Sequence, residues 1–259
     1  MKHFVALVLV IAVVQLASAS ETNSLKRFEK DLRENILPAS HPTDINQLVR
    51  KGQLCYKLTD SEVREILQRI IQDGLRKPTD ITHFSMARAI KAIGDYGDDS
   101  VMNLLLGIAD DREKRYFRSF ALCSYLKMQS EDNFAAKVKE IISENPKYDK
   151  SLRYSVINWV SAIYYDKADE RRKKDIIQIF HRVILEEKDI TNFTGLDEFL
   201  RAKDAEYLKS EERLKLLKSH SRKLVRKNRS DIYVEDELKW FGKERPKKEK
   251  EIPNISIQI

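Results

Sequence analysis

Apolar side chains recur three and four residues apart along most of this chain. Val63, Ile66, Leu67, Ile70 and Ile71 fall at i, i+3, i+4, i+7 and i+8, which puts all five on one stripe of an α-helix. Val101, Leu104, Leu105 and Ile108 repeat the spacing, as do Leu152, Val156, Trp159, Val160 and Ile163, and again Ile176, Ile179, Phe180, Val183 and Ile184. Thr59 and Glu62 form a capping box that starts the first of these helices, and Pro78 stops it, because the residue before proline avoids the α region. The gaps between periodic segments are short, which forces consecutive helices to lie antiparallel and predicts a succession of helical hairpins. The closing stretch RPKKEKEIPNISIQI loses the helical period, and Ile255, Ile257 and Ile259 alternate with polar residues as a short strand would.

The hairpins repeat. Ala87 to Ile93 and Ser119 to Tyr125 align at an offset of about 32 residues, small on small and apolar on apolar, and Tyr154 to Val160 aligns more loosely roughly 35 residues further on. Small residues at these positions let one helix approach the next closely, and the turns Asp98-Asp99 and Asp110-Asp111 suit helix N-caps. Gly94 fits a helix C-cap and Gly97 a turn.

Residues 86–128, MARAIKAIGDYGDDSVMNLLLGIADDREKRYFRSFALCSYLKM, resemble a HEAT-type (ARM/HEAT) repeat followed by the first helix of the next, on the A-x-x-A-I-G ending at Gly94, the Gly-Asp turn, Leu104 and Leu105, and the Asp-Asp turn. The likeness extends loosely over 81–188 and departs from the family at the charged stretch Arg112 to Arg118 and at Trp159, which stands where a small residue is usual. It implies an all-α fold of antiparallel hairpins stacked as a short irregular α-solenoid, and a concave face that holds another protein. An irregular helical bundle is the alternative arrangement.

Composition narrows the class. Seven glycines and six prolines in 259 residues are too few turn residues for an all-β fold, and 34% charged with 42% hydrophobic residues describes a solvated globular chain. The opening MKHFVALVLVIAVVQLASAS reads as a signal peptide cut after Ala19, since its apolar run is too short to span a bilayer and Ala17-Ser18-Ala19 suits a signal peptidase. The expected product is secreted, periplasmic or in the secretory pathway, with no integral membrane segment after cleavage. The expected divisions are the signal at 1–19, N-terminal capping helices at 20–80, repeats at 81–190, C-terminal helices at 191–230 and a charged tail or cap at 231–259. In that compartment Cys55 and Cys123 either pair, closing a loop worth about 4 kcal/mol in the chain-entropy account, or serve as small apolar core residues. Asn192, Asn228 and Asn254 head Asn-x-Ser/Thr triplets, acceptors for glycan in a eukaryotic secretory pathway.

No catalytic constellation stands out. His41, His83, His181 and His220 are scattered, with no metal-gripping pair at i, i+4, and read as surface or boundary residues. The aspartates at 98, 99, 110 and 111 lack the spacing of an EF-hand, and the weaker candidate is a Cys123–His181 nucleophile pair. The expectation is a non-enzymatic protein without cofactor. RLKLLKSHSRKLVRKNR, 213–229, carries eight Lys or Arg and no acid, with Leu214, Leu217, Leu224 and Val225 as a partial apolar stripe: a basic amphipathic helix. This gives a second function class, a polyanion-binding module in which Lys215, Lys218, Arg222, Lys223, Arg226 and Lys227 meet anionic lipid, polysaccharide or nucleic acid. Trp240 and Phe241 either cover the open end of the array or, beside the basic run, stack on nucleic-acid bases or seat in a membrane interface.

Overall fold

The computed structural model describes residues 23–39, 44–77, 81–143, 147–223, 229–241 and 243. The expected signal segment, His41, Pro78, Leu224, Val225, Arg226, Lys227, Asn228, Asn254 and the alternating isoleucines at the end lie outside them, as do the side chains of Arg222 and Lys223. Among the described residues the chain is helical throughout, without strands. By internal contacts it divides between Lys167 and Ala168, inside the 81–190 stretch expected as one array.

The N-terminal unit begins with α1, residues 23–31, which widens into a π turn at Leu32–Ile36. There follow α2 (Ile45–Tyr56), α3 (Asp60–Arg76), α4 (His83–Ile93), α5 (Asp99–Asp110), α6 (Arg115–Lys127), α7 (Glu131–Ile142) and α8 (Lys150–Trp159). The capping box on α3 is present, with Thr59 Oγ1 accepting from the Glu62 amide at 3.3 Å and Glu62 Oε2 accepting from the Thr59 amide at 2.7 Å. All five apolar residues of the α3 stripe are buried, as is Leu105 on α5. Ile163 departs from expectation and stands exposed. A π turn over Val160–Tyr164 adds a residue to the helical repeat, so the spacing that carries Val156 and Val160 inward no longer brings Ile163 with them.

Alternate helices of this unit lie side by side and run the same way. At their starts, the His83 ring stacks on Phe117 of α6 with centroids 5.6 Å apart; at their ends, Ser124 Oγ of α6 donates to the Ile90 carbonyl of α4 at 2.8 Å. Gly94 closes α4 with ordinary helical φ, so its glycine is not required by the backbone. It is required by proximity, because a Cβ there would sit 3.2 Å from Ser124 Cβ and 3.3 Å from its carbonyl oxygen. In the same way α2 packs on α4 and α6 on α8. Arg118 of α6 and Arg153 of α8 are buried equivalents. Each donates through Nε to the carbonyl ending the preceding helix, Ala109 at 2.7 Å and Ile142 at 2.9 Å.

The C-terminal unit holds α9 (Glu170–Glu186), α10 (Ile190–Lys203), the short α11 (Ala205–Leu208), α12 (Glu211–Lys223) and α13 (Arg229–Trp240). The α9 stripe from Ile176 to Ile184 is buried as its spacing predicts. Part of the expected charged tail is helical. Within α13, Val234 and Glu237 are buried, and α13 packs against α10 and α12.

One device recurs in both units. An N-cap aspartate uses Oδ1 to receive the first backbone N–H groups of its helix and Oδ2 to receive a basic side chain from two helices earlier. Asp98 accepts from the Ser100 and Val101 amides at 3.0 and 3.2 Å and pairs with Arg64 of α3 at 3.2 Å. Asp149 accepts from Ser151 and Leu152 at 3.0 Å each and pairs with Arg118 at 2.8 Å. Asp204 accepts from Glu206 and Tyr207 at 3.0 and 3.3 Å and faces His181 Nε2 of α9 at 2.8 Å.

The Ser100 hydroxyl, with the Val101 amide and Arg64, holds the Asp98 carboxyl below the usual carboxylate range, and His181, with the Tyr207 and Glu206 amides, does the same for Asp204. A carboxylate whose pKa is depressed by folding stabilises the fold above its unfolded pKa, and that stabilisation is lost as pH falls through the folded value. Denaturant midpoints should therefore decline as pH drops from about 5 toward 2. A chain carrying Asp98→Asn and Asp204→Asn should show a shallower decline, measured by guanidinium unfolding at several pH values, whereas an unchanged slope would deny these two caps any part in acid sensitivity.

Candidate protein-binding face

The side-by-side helices α2, α4, α6 and α8 differ in composition from those between them. Their cations are Arg50 and Lys51, Arg88 and Lys91, Arg115, Arg118 and Lys127, and Lys150 and Arg153, and none of the four contains Asp or Glu. The intervening helices hold the acids: Asp60, Glu62, Glu65 and Asp73 in α3, Asp99 and Asp110 in α5, Glu131, Asp132 and Glu140 in α7.

The acid-free helices also leave aromatic rings in solvent. Phe84 of α4 is 53% exposed, Tyr116 of α6 61% and Tyr154 of α8 36%. Together they form an exposed aromatic patch carried on neighbouring helices. Cations rest on the rings: the Arg88 guanidinium lies 3.9 Å from the Phe84 centroid, Arg115 4.9 Å from Tyr116, and Lys91 Nζ 5.0 Å from Phe120. Neighbouring helices share this surface, since His83 sits 5.7 Å from the Tyr116 ring and Lys127 of α6 pairs with Asp95 just after α4. Arg88 also donates to the carbonyls of Leu37 and Ala39, which fixes the end of α1 against α4. Periodicity could not single out Phe84, Tyr116 and Tyr154, because it marks the buried stripe and not what lies opposite. The legible signal was the absence of acid from three periodic segments in alternation with acid-bearing ones.

Residues chosen from the sequence fare differently. Lys215 and Lys218 are exposed on α12. Arg213, counted in the same basic run, turns inward and is 2% exposed. Its Nε and Nη2 grip Asp197 of α10 at 2.8 and 3.0 Å, and Nη2 also contacts Glu237 of α13. Tyr207 and Tyr233 donate their hydroxyls to Asp197 at 2.9 and 2.7 Å, and Arg201 bonds Glu237 at 2.5 Å. Burial opposes the Arg213 charge, but the hydrogen bonds and charges of Asp197 and Glu237 outweigh it and raise its pKa. Burial, reinforced by Asp197, pushes both phenols well above the ordinary tyrosine range. Phe241 lies 5.8 Å from the same guanidinium, and Trp240 Nε1 donates to Asp236 at 3.1 Å.

His220, expected at the surface or boundary, is buried and stacked on Phe193 at 4.0 Å between centroids, because α12 turns this side of itself inward with Arg213 and Leu217. His181 meets the boundary expectation and faces Asp204. Asn192 is fully buried in α10 with neither Nδ2 nor Oδ1 hydrogen-bonded, so the folded chain has no room there for a glycan. Asp98 and Asp111 are committed as helix caps. Among the described residues no three His, Cys, Asp or Glu side chains converge as a metal site, and no helix is long and apolar enough to cross a membrane. Cys55 and Cys123 are free thiols. Burial pushes the Cys123 thiol up to about 12, opposed by Lys91, which leaves it protonated and poorly nucleophilic near neutrality.

Compared with protein-family models, with curated proteins and with solved structures, the chain finds no match.

Two outcomes follow for these residues. Removing Glu237 leaves two guanidinium groups short of a partner in a buried cluster, so Glu237→Ala should cost about 3 kcal/mol, with Glu237→Gln milder. Trp240 fluorescence in a Trp159→Phe background reads this unit, and a cost under about 0.5 kcal/mol, the range of neutral surface changes, would mean that α13 contributes nothing through this pair. For the thiols, a chromogenic disulfide reagent at pH 8 should find Cys55 at once and the half-buried Cys123, with its raised pKa, far more slowly; equal, rapid reaction of both in the native protein would contradict the protection of Cys123.

Proposed function

We propose that the N-terminal unit is a short, irregular α-solenoid of HEAT-like type, and that the protein is an exported, non-enzymatic scaffold that binds another protein on the row α2, α4, α6 and α8. The array reading is supported by polar contacts between alternate helices that recur at nearly the same interval. Gln68 Nε2 donates to Ser100 Oγ 32 residues on at 2.9 Å, and Ser124 reaches Ile90 34 residues back. Such arrays gain stability from nearest neighbours and offer extended surfaces for partners. Export rests on the first nineteen residues of the sequence, and the non-enzymatic reading on the missing catalytic motifs.

The observation that carries the binding role is the exposed aromatic on each of three alternate helices, α4 packed on α6 and α6 on α8: Phe84, Tyr116 and Tyr154. Aromatics in a contact surface contribute large area at low entropic cost and dominate binding energy. Replacing all three with Ser touches no buried position, so the helical circular dichroism should be unchanged. Wild-type protein, incubated with the secreted fraction of its own source, should retain proteins that the triple variant loses. Retention of the same set by both would remove this face from the function.

A further inference from the structure

Resting on the scaffold reading above, we infer that the partner is an acidic segment of another protein, laid in extended polyproline-like form across α4, α6 and α8. Its carboxylates meet Lys91 and Arg115, and its apolar side chains meet Phe84, Tyr116 and Tyr154.

Two observations and one general geometric argument converge on this chemistry. First, charge: these three helices contain no Asp or Glu, and of the carboxylates that flank them Asp95 is held by Lys127, Asp149 by Arg118 and Asp111 by the Glu113 amide. A surface of one sign selects partners of the other and repels like-charged competitors. Second, the cations lie on aromatic rings, Arg115 on Tyr116 and Lys91 on Phe120. A carboxylate that pairs with such a cation also brings its neighbouring side chain against the ring beneath. A surface built for a phosphate polymer instead sets several cations in a row along the backbone it neutralises. Third, spacing: helices packed side by side stand about 8–10 Å apart. A polyproline-type segment advances ~3.1 Å per residue with three residues per turn, so it returns a side chain to the same side every ~9 Å. Every third residue of such a segment meets the next helix in the row. The recognised sequence is therefore a repeat of apolar, acidic and freely chosen residues with a period of three, and the polyproline form costs little ordering entropy on binding.

The test uses the full chain and three fluorescein-labelled peptides, each four repeats long: Phe-Glu-Pro, Phe-Ser-Pro and Phe-Lys-Pro. Fluorescence anisotropy should give at least tenfold tighter binding for the Glu peptide than for the Ser peptide, and none for the Lys peptide. Lys91→Glu with Arg115→Glu should abolish the advantage of the Glu peptide while leaving Ser-peptide binding in place. Equal binding of Glu and Ser peptides, lost in the Phe84, Tyr116 and Tyr154 triple variant, would overturn the acidic partner and keep the scaffold. Failure of every peptide, with the triple variant still retaining the captured proteins, would overturn both. Binding of heparin or phosphatidylserine vesicles that the charge-reversal variant loses, without Glu-peptide binding, would assign the face to a polyanion and overturn the proposal. Self-association in sedimentation that the same variant abolishes, again without peptide binding, would assign it to a second copy and overturn it too.

Discussion

A carboxylate with two oxygens can close one helix and hold another at the same time, and the architecture of this chain depends on that division of labour. Asp98, Asp149 and Asp204 each spend Oδ1 on the unpaired N–H groups that begin their own helix and Oδ2 on a basic side chain from two helices back, Arg64, Arg118 and His181. The start of a helix favours negative charge because its first amides have no internal partner and its dipole is positive there. Adding a cation converts a local cap into a tertiary bond, and it fixes the longitudinal register of helices that hydrophobic contact alone would let slide. Where register is set in this way, small residues finish the approach: Gly94 against Ser124 brings the ends of α4 and α6 together, and a Cβ at Gly94 would force them apart.

Charge is sorted between alternate helices. α3, α5 and α7 hold acids, while α4, α6 and α8 carry cations alone. Two of those cations, Arg118 and Arg153, are structural, each sealing the carbonyl end of the preceding helix from within. Arg88, Lys91 and Arg115 lie over aromatic rings, where stacking keeps a ring in water without exposing its whole face. The outward side of these helices is therefore both positively charged and aromatic.

The C-terminal unit solves its packing with a different instrument. Arg213, Asp197 and Glu237 take three charges out of water, and two phenols and a second arginine complete their hydrogen bonds. A buried cluster of this kind gives little net stability over apolar packing but penalises any arrangement that leaves a member unpaired. α13 is thereby tied to α10 and α12 in one register, and Phe241 closes over the guanidinium.

Helix class, the capping box at Thr59 and Glu62, the buried stripes of α3 and α9 and the near-equivalence of the stretches at 87–93 and 119–125 were readable in one dimension. Each is encoded by residues within a turn or two of one another, where spacing translates directly into a helix face. Arg213 looked like one of eight equivalent surface cations and His220 like a boundary histidine, yet both are interior. Their partners, Asp197, Glu237 and Phe193, lie many residues away and come into reach only when α10 and α13 pack on α12. Ile163 left its stripe because of a π turn that no spacing rule marks. Exposure of Phe84, Tyr116 and Tyr154 was likewise decided by tertiary packing: a sequence shows that a residue is apolar, and only the neighbouring helices determine whether anything covers it.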